Sequence, residues 1–232
     1  TTNLTVMVLS LLLCFLPVII GLIVLKFCNI KVTHSLIAVL AAIIVILPIS
    51  LIQFFTSSFR IPFLLPTLNV LLKSFLIYGL IEETLKGLTI AVISPKIGAK
   101  DSYSISQNAA LALFFGLTLG CFESEIYFIS HLMQAKSWGA TLMYKPILLR
   151  MVTTDFLHAF CACISGIYVY KWIHGEKHKL FIFTPVLIHT AYDFFAGFQN
   201  NLKFFSIAVI LYAALKCHTI LAQKDEDKSI AA

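Results

Sequence analysis

Two adjacent acids, Glu82 and Glu83, lie inside the apolar stretch 68–93, and Lys86 follows one helical turn later. A charged side chain at the centre of a membrane helix costs about 2.5–3.5 kcal/mol, so such groups normally face a polar interior. Glu82 and Lys86 are four residues apart, and the helical wheel predicts that they pair on one face. Glu83 is turned away by about 100° and is expected to be available for another role.

Three further apolar runs carry ionisable side chains at comparable depth. Glu123 lies on the first of these runs. Asp155 and His158 are three residues apart on the next, and His189 and Asp193 are four apart on the last. Residues three or four apart share a helix face, so each pair can point to one side. The sequence therefore predicts a polar cavity between four helices.

The groups predicted to meet there suit two hydrolytic chemistries. A glutamate can act as general base on water while histidines polarise the carbonyl oxygen. Alternatively, Glu123, His158 and His189 would hold a catalytic Zn²⁺ with one open coordination position. A proton-coupled transporter is a third interpretation, because acids and histidines inside membranes also relay protons, although no inverted repeat is evident. A non-catalytic membrane scaffold is the fourth.

Composition identifies the medium in which these groups lie. The 232 residues are 59% hydrophobic and only 12% charged, and the mean hydropathy is +0.94. Soluble domains are about 45–50% apolar and about 25% charged, so the chain is expected to be an integral membrane protein. The net charge of +6 arises mainly between apolar runs, where basic residues orient helices and meet lipid headgroups. The chain is expected to contact the lipid bilayer, and no nucleic-acid partner is expected.

The chain length allows about seven spans of roughly 20 residues each. We therefore predict an all-α, polytopic transmembrane helix bundle with the apolar runs 4–27, 34–55, 69–93, 105–131, 146–172, 180–199 and 201–221. Residues 1–68 form two helices and a connector, 69–199 a four-helix catalytic core, and 200–232 the last helix and a charged tail. The distribution of Lys and Arg predicts a cytoplasmic C-terminus. Gly116 and Gly120 predict a close helix–helix approach beside Glu123.

Four motifs on successive runs resemble those of known membrane proteases. Residues 82–86 (Glu-Glu-Thr-Leu-Lys) resemble the EExxK motif of the CAAX-protease and bacteriocin-processing (CPBP) superfamily. The run 115–127, with Glu123, Ser124 and Tyr127, resembles the second motif of its PrsW branch. His158 with the following alanine resembles the third motif, and residues 189–193 (His-Thr-Ala-Tyr-Asp) resemble the final HxxxN/D motif. The resemblance covers 82–195, about half the chain, and residues 1–68 carry no matched motif.

The resemblance implies an intramembrane endopeptidase that acts on a membrane-anchored protein or peptide. PrsW-type members cleave membrane-tethered anti-sigma factors, and CAAX members trim prenylated C-termini. The family has been called metalloproteases, while its better-understood members look like glutamate-dependent proteases with no bound metal. The resemblance thus implies no cofactor, with zinc as the alternative. The catalytic residues that the resemblance implies are Glu82, Glu83, Glu123, His158 and His189. The supporting residues are Lys86 and Asp193.

Two residues depart from the family pattern. Ser124 stands where the PrsW motif usually has Asn, and Asp193 stands where many members have Asn. An ionised Asp has no hydrogen to donate, so an oxyanion role for Asp193 stays open.

Overall fold

The computed structural model describes residues 2–99, 102–134, 148–176, 183–198 and 200–230. Within these ranges the chain is helical and contains no strand. A π-helical segment, Ser74–Glu82, joins the third helix to the fourth, and short 3₁₀ turns occupy Ser94–Ile97 and Asn201–Phe204. The α-helices are α1 (Thr2–Phe27), α2 (Val32–Thr56), α3 (Pro66–Lys73), α4 (Glu83–Ile93), α5 (Ile105–Gln134), α6 (Thr154–Ile173), α7 (Phe183–Ala196) and α8 (Phe205–Ile230). The predicted all-α membrane bundle is confirmed.

Five stretches of the described chain are long and apolar enough to cross a membrane. They are Val8–Phe27, Val32–Thr56, Ile105–Ser130, Leu148–Ile173 and Asn201–Ala222. Each matches one of the predicted runs to within a few residues. The other two predicted runs, 69–93 and 180–199, correspond to the succession of α3, the π-helical segment and α4, and to the short α7. These two carry the acid pair and His189.

Helices α5 and α6 form the central pair of the bundle. A Cβ on Gly116 would lie 2.3 Å from the carbonyl oxygen of His158, and one on Gly120 would lie 2.8 Å from Asp155 Cα. No larger residue would allow this approach, so the close contact predicted from the two glycines is confirmed, and the partner helix is α6. The approach brings the His158 side of α6 against the Glu123 turn of α5.

The remaining helices surround this pair. Helices α1 and α2 pack against α5 through an apolar cluster that includes Ile49, Phe114 and Leu119. Helices α7 and α8 pack against the opposite side of α6, where Ile164 and Ala213 are fully buried. Large apolar side chains cover the outward faces, as expected for a surface that meets lipid tails rather than water.

Candidate active site

The acid pair lies where the π-helical segment ends and α4 begins. Glu82 and Glu83 are each only 1% exposed. Turns of π-helix are rare and are frequently found at functional sites. The acids are therefore held at an irregular point of the backbone, deep in the bundle.

A glycine in the π-helical segment brings α7 to the acids. A Cβ on Gly79 would lie 2.2 Å from Thr190 Oγ1 and 2.9 Å from the carbonyl oxygen of Val186. The two backbones can approach this closely only because Gly79 lacks a side chain. The contact sets the position of His189, which neighbours Thr190 on α7.

Lys86 lies fully buried between the two acids. Its Nζ contacts Glu83 Oε1 directly and lies 3.3 Å from Glu82 Oε1. The expectation that Glu83 points away from Lys86 is therefore wrong. Glu83 and Lys86 are three residues apart, which also places them side by side on a helix, and the long lysine side chain reaches both carboxylates.

His189 connects the acid pair to α7. Its Nδ1 lies 2.6 Å from Glu83 Oε1, in hydrogen-bond contact. Its Nε2 lies 3.2 Å from Asp193 Oδ2, without the alignment of a hydrogen bond. Asp193 is the more exposed of the two, with 23% of its side chain accessible. The imidazole thus bridges a buried carboxylate and one at the rim of the site.

His158 makes the corresponding bridge between α4 and α5. Its Nδ1 lies 3.0 Å from both Glu82 Oε1 and Lys86 Nζ. Its Nε2 lies 2.6 Å from Glu123 Oε2. The rings of His158 and His189 meet edge to face with centroids 5.1 Å apart. The two histidines therefore lie side by side between the acid pair and the two rim carboxylates.

Arg150 and Ser124 extend this network at the start of the fifth predicted run. Arg150 Nη2 lies 3.3 Å from Glu123 Oε2, and Arg150 Nε donates to Ser124 Oγ at 3.1 Å. Ser124 in turn donates to Asp155 Oδ1 at 2.6 Å. Asp155 is in the first turn of α6, and Ser124 lies between its carboxylate and Arg150.

Gln53 on α2 is a site neighbour that sequence reasoning missed. Its Nε2 donates to Glu82 Oε2 at 3.1 Å. A single amide in an apolar helix carries no signal of its partner, so only the packing of α2 reveals the contact. One oxygen of Glu82 is therefore already engaged by a neutral donor.

The structure brings every predicted site residue into one cluster. Four helices and the π-helical segment contribute to it, and its members are Glu82, Glu83, Lys86, Glu123, His158, His189 and Asp193. Glu125 lies apart from them, buried and accepting a hydrogen bond from Ser10 Oγ at 3.3 Å. This contact joins α5 to α1, outside the site.

The cluster also contains the residue types of a metal site. Donor atoms of Glu82, Glu83, His158 and His189 lie within 4.8 Å of one another, a set that could hold a metal ion. The predicted zinc set differs, because it contains Glu123 in place of the acid pair. The ammonium of Lys86 already lies among these donors. Its Nζ contacts the Oε1 atoms of Glu82 and Glu83, which a metal would also need. The donor types suit a metal, but the charged ammonium of Lys86 and a metal would compete for the same carboxylate oxygens.

Fold and site together define an integral membrane protein with a buried acid–histidine cluster between its helices, an arrangement that marks a functional site. The family model described as PrsW family intramembrane metalloprotease matches residues 31–217, and the chain belongs to this family. It is therefore an intramembrane peptidase. The matched region begins well before residue 82, so α2 and Gln53 belong to the family region. Neither the curated proteins nor the solved structures contain a significant match.

Proposed function

We propose that the protein hydrolyses a peptide bond of a membrane-associated protein or peptide with a water molecule activated by the glutamate pair. The observation that carries the proposal is the buried contact of two carboxylates with two imidazoles, Glu83 with His189 at 2.6 Å and Glu82 with His158 at 3.0 Å. A general base must lie within hydrogen-bond reach of the water proton that it abstracts, and an adjacent imidazole can carry that proton onward.

Glu83 is the better candidate for the base. Its Oε1 is held by Lys86 and His189, while its Oε2 accepts no hydrogen bond from the described residues. Glu82 has one oxygen bonded to Gln53, and its Oε1, which likewise accepts no hydrogen bond from the described residues, lies 3.0 Å from His158 and 3.3 Å from Lys86. We favour Glu83 because no cation or imidazole of the described residues contacts its Oε2, whereas Glu82 Oε1 lies beside both.

The proposed reaction has two steps. Glu83 takes a proton from water as the water oxygen attacks the peptide carbonyl carbon, and the carbonyl π electrons move to its oxygen. The tetrahedral intermediate then collapses, the C–N bond breaks, and the proton is delivered to the leaving nitrogen. His189 touches Glu83 on one side and lies near Asp193 on the other, which suits a carrier for that proton.

The developing oxyanion needs a donor on the accessible side of the site. His158 Nε2 faces Glu123, whose side chain is 20% exposed, whereas Lys86 is fully buried. We therefore assign oxyanion stabilisation to His158, whose Nε2 would exchange its contact with Glu123 for the carbonyl oxygen, and electrostatic support of the acid pair to Lys86. Asp193 is ionisable and next to His189, so its proposed role is to orient that ring rather than to donate a hydrogen bond.

The proposal also covers the superfamily, the orientation in the membrane and the extent of the catalytic core. The Glu-Glu-x-x-Lys motif on residues 82–86 supports membership of the wider CPBP superfamily. The charge distribution supports a cytoplasmic C-terminus. We retain 69–199 as the catalytic core, with a contribution from Gln53 in the segment 1–68.

The test uses the full chain in liposomes and a library of quenched fluorescent peptides, each carrying one membrane-spanning segment. Glu83→Gln is expected to lower kcat by about 10²–10⁴-fold, the range for loss of a general base. Glu82→Gln is expected to lower it less. The matched control is Glu125→Gln, which changes a buried glutamate outside the cluster and should retain activity.

The outcome separates the proposal from its alternatives. Equal activity of the Glu83→Gln and Glu125→Gln proteins would contradict the assignment of the base. Proton flux into liposomes without peptide cleavage would favour a transporter. Binding of membrane peptides with neither cleavage nor flux would favour a scaffold.

A further inference from the structure

We propose that Arg150 is a positioning residue of this site, which holds Glu123 in the orientation that fixes His158. The inference rests on the proposed function, because the reaction that Arg150 serves is the hydrolysis described above. It extends the site to a basic residue that lies in none of the matched motifs.

Arg150 contacts three residues on one turn of α5. Its Nη2 lies 3.3 Å from Glu123 Oε2, and its Nε donates to Ser124 Oγ at 3.1 Å. Its guanidinium carbon lies 4.7 Å from the centre of the Tyr127 ring, within cation–π distance. A planar guanidinium can address a carboxylate, a hydroxyl and an aromatic face together, which the single ammonium of a lysine cannot.

Ser124 connects this contact to α6. Its hydroxyl accepts from Arg150 and donates to Asp155 Oδ1 at 2.6 Å, so it uses both hydrogen-bonding capacities of a hydroxyl. Asp155 is completely buried in the first turn of α6. The departure from the usual Asn at position 124 thus supplies a hydroxyl that joins Arg150 to the helix that carries His158.

The position of Glu123 matters because its Oε2 is shared. Arg150 approaches this oxygen from one side, and His158 Nε2 lies 2.6 Å from it on the other. The second ring nitrogen of His158 lies 3.0 Å from Glu82. A displacement of Glu123 would therefore move the ring that contacts the acid pair.

The pair of Arg150 and Glu123 is partly open to solvent. The two side chains are 19% and 20% exposed. The same exposure means that a small cation can reach the space left by a truncated Arg150. This provides a test that distinguishes positioning from a purely structural role.

The experiment compares Arg150→Ala, Arg150→Lys and Arg150→Gln in liposomes with the membrane-spanning peptide library. A misplacement of about 1 Å can cost about 100-fold in rate, so Arg150→Ala should lower kcat by about 100-fold with little change in KM. Arg150→Lys should restore only part of the loss. Added guanidinium chloride, at concentrations that leave the wild type active, should rescue Arg150→Ala. Arg60→Ala, which removes an exposed arginine, is the control and should behave as the wild type.

A combination with Glu123→Gln tests whether Arg150 acts through Glu123. Groups that act as a unit are non-additive, so Arg150→Ala should cost less than about threefold in the Glu123→Gln background. Unfolding of the two single variants and the double variant in SDS measures the same coupling without activity. Full activity of Arg150→Ala, no rescue by guanidinium, or additive effects would overturn the inference.

The two proposals fail in different ways. If the wild type cleaves no member of the library, the proposed function is contradicted. The contact between Arg150 and Glu123 still stands if the unfolding data show coupling between them. An active wild type with additive Arg150 and Glu123 effects contradicts only the positioning role.

Discussion

Replacing Lys86 by methionine removes the positive charge between the two buried acids and keeps a side chain of similar length. Lys86 Nζ contacts Glu83 Oε1 and lies 3.3 Å from Glu82 Oε1, and all three side chains are at most 2% exposed. At an effective dielectric constant of about 20 the pair with Glu82 is worth about 5 kcal/mol, and the closer pair with Glu83 is worth more. Desolvation of the ammonium offsets much of this attraction. Breaking a buried pair on one side typically costs about 3–5 kcal/mol, and we expect Lys86→Met to lower the unfolding free energy by this amount.

The assay is reversible unfolding in mixed SDS micelles, followed by loss of helical signal. Lys86→Met combined with Glu82→Gln should recover part of the loss, because it removes one of the two acids left without a cation. The control is Lys96→Met, which changes an exposed lysine outside the cluster. A change below about 1 kcal/mol in Lys86→Met would show that Lys86 does not stabilise the ionised acid pair.

Three further changes probe the site from other directions. Gly79→Ala places a Cβ 2.2 Å from Thr190 Oγ1 and should destabilise by about 1–3 kcal/mol, whereas Gly87→Ala meets nothing within 4 Å and should be neutral or stabilising in the same unfolding assay. Gln53→Leu removes a hydrogen bond to an ionised carboxylate, worth about 1.5–3 kcal/mol, and should lower kcat by about tenfold or more in the peptide assay. Because the site already contains an ammonium group, chelators should leave peptidase activity unchanged. Elemental analysis of active protein should find less than one zinc per chain. Stoichiometric zinc with loss of activity on chelation would contradict this.

Much of the site can be predicted from the sequence because it depends on two local patterns, the length of the apolar runs and the helical spacing of the polar residues. Apolar runs of about 20 residues define the helices, and the spacings within 82–86 and 189–193 place their polar residues on single faces. The small residues Gly116 and Gly120 point to a close helix contact. These local rules suffice to bring Glu123, His158 and His189 towards the acid pair.

The remainder depends on backbone irregularity and on contacts between distant helices. An ideal helical wheel does not contain the π-helical segment Ser74–Glu82, and the prediction that Glu83 faces away from Lys86 did not allow for the reach of lysine across three residues. The hydrogen bond from Gln53 to Glu82 spans 29 positions and depends on where α2 packs. Arg150 carries no signal in the sequence, because a basic residue near a helix end is common at the membrane boundary.

The central claim is that a glutamate of this pair activates the water that cleaves the peptide bond. The most direct measurement is single-turnover cleavage of a membrane-spanning peptide in liposomes by the wild type and by the Glu82→Gln/Glu83→Gln double variant, with products identified by mass spectrometry in H₂¹⁸O. We expect a new C-terminus carrying one ¹⁸O with the wild type and no detectable product with the double variant. Cleavage by the double variant at the wild-type rate would contradict it.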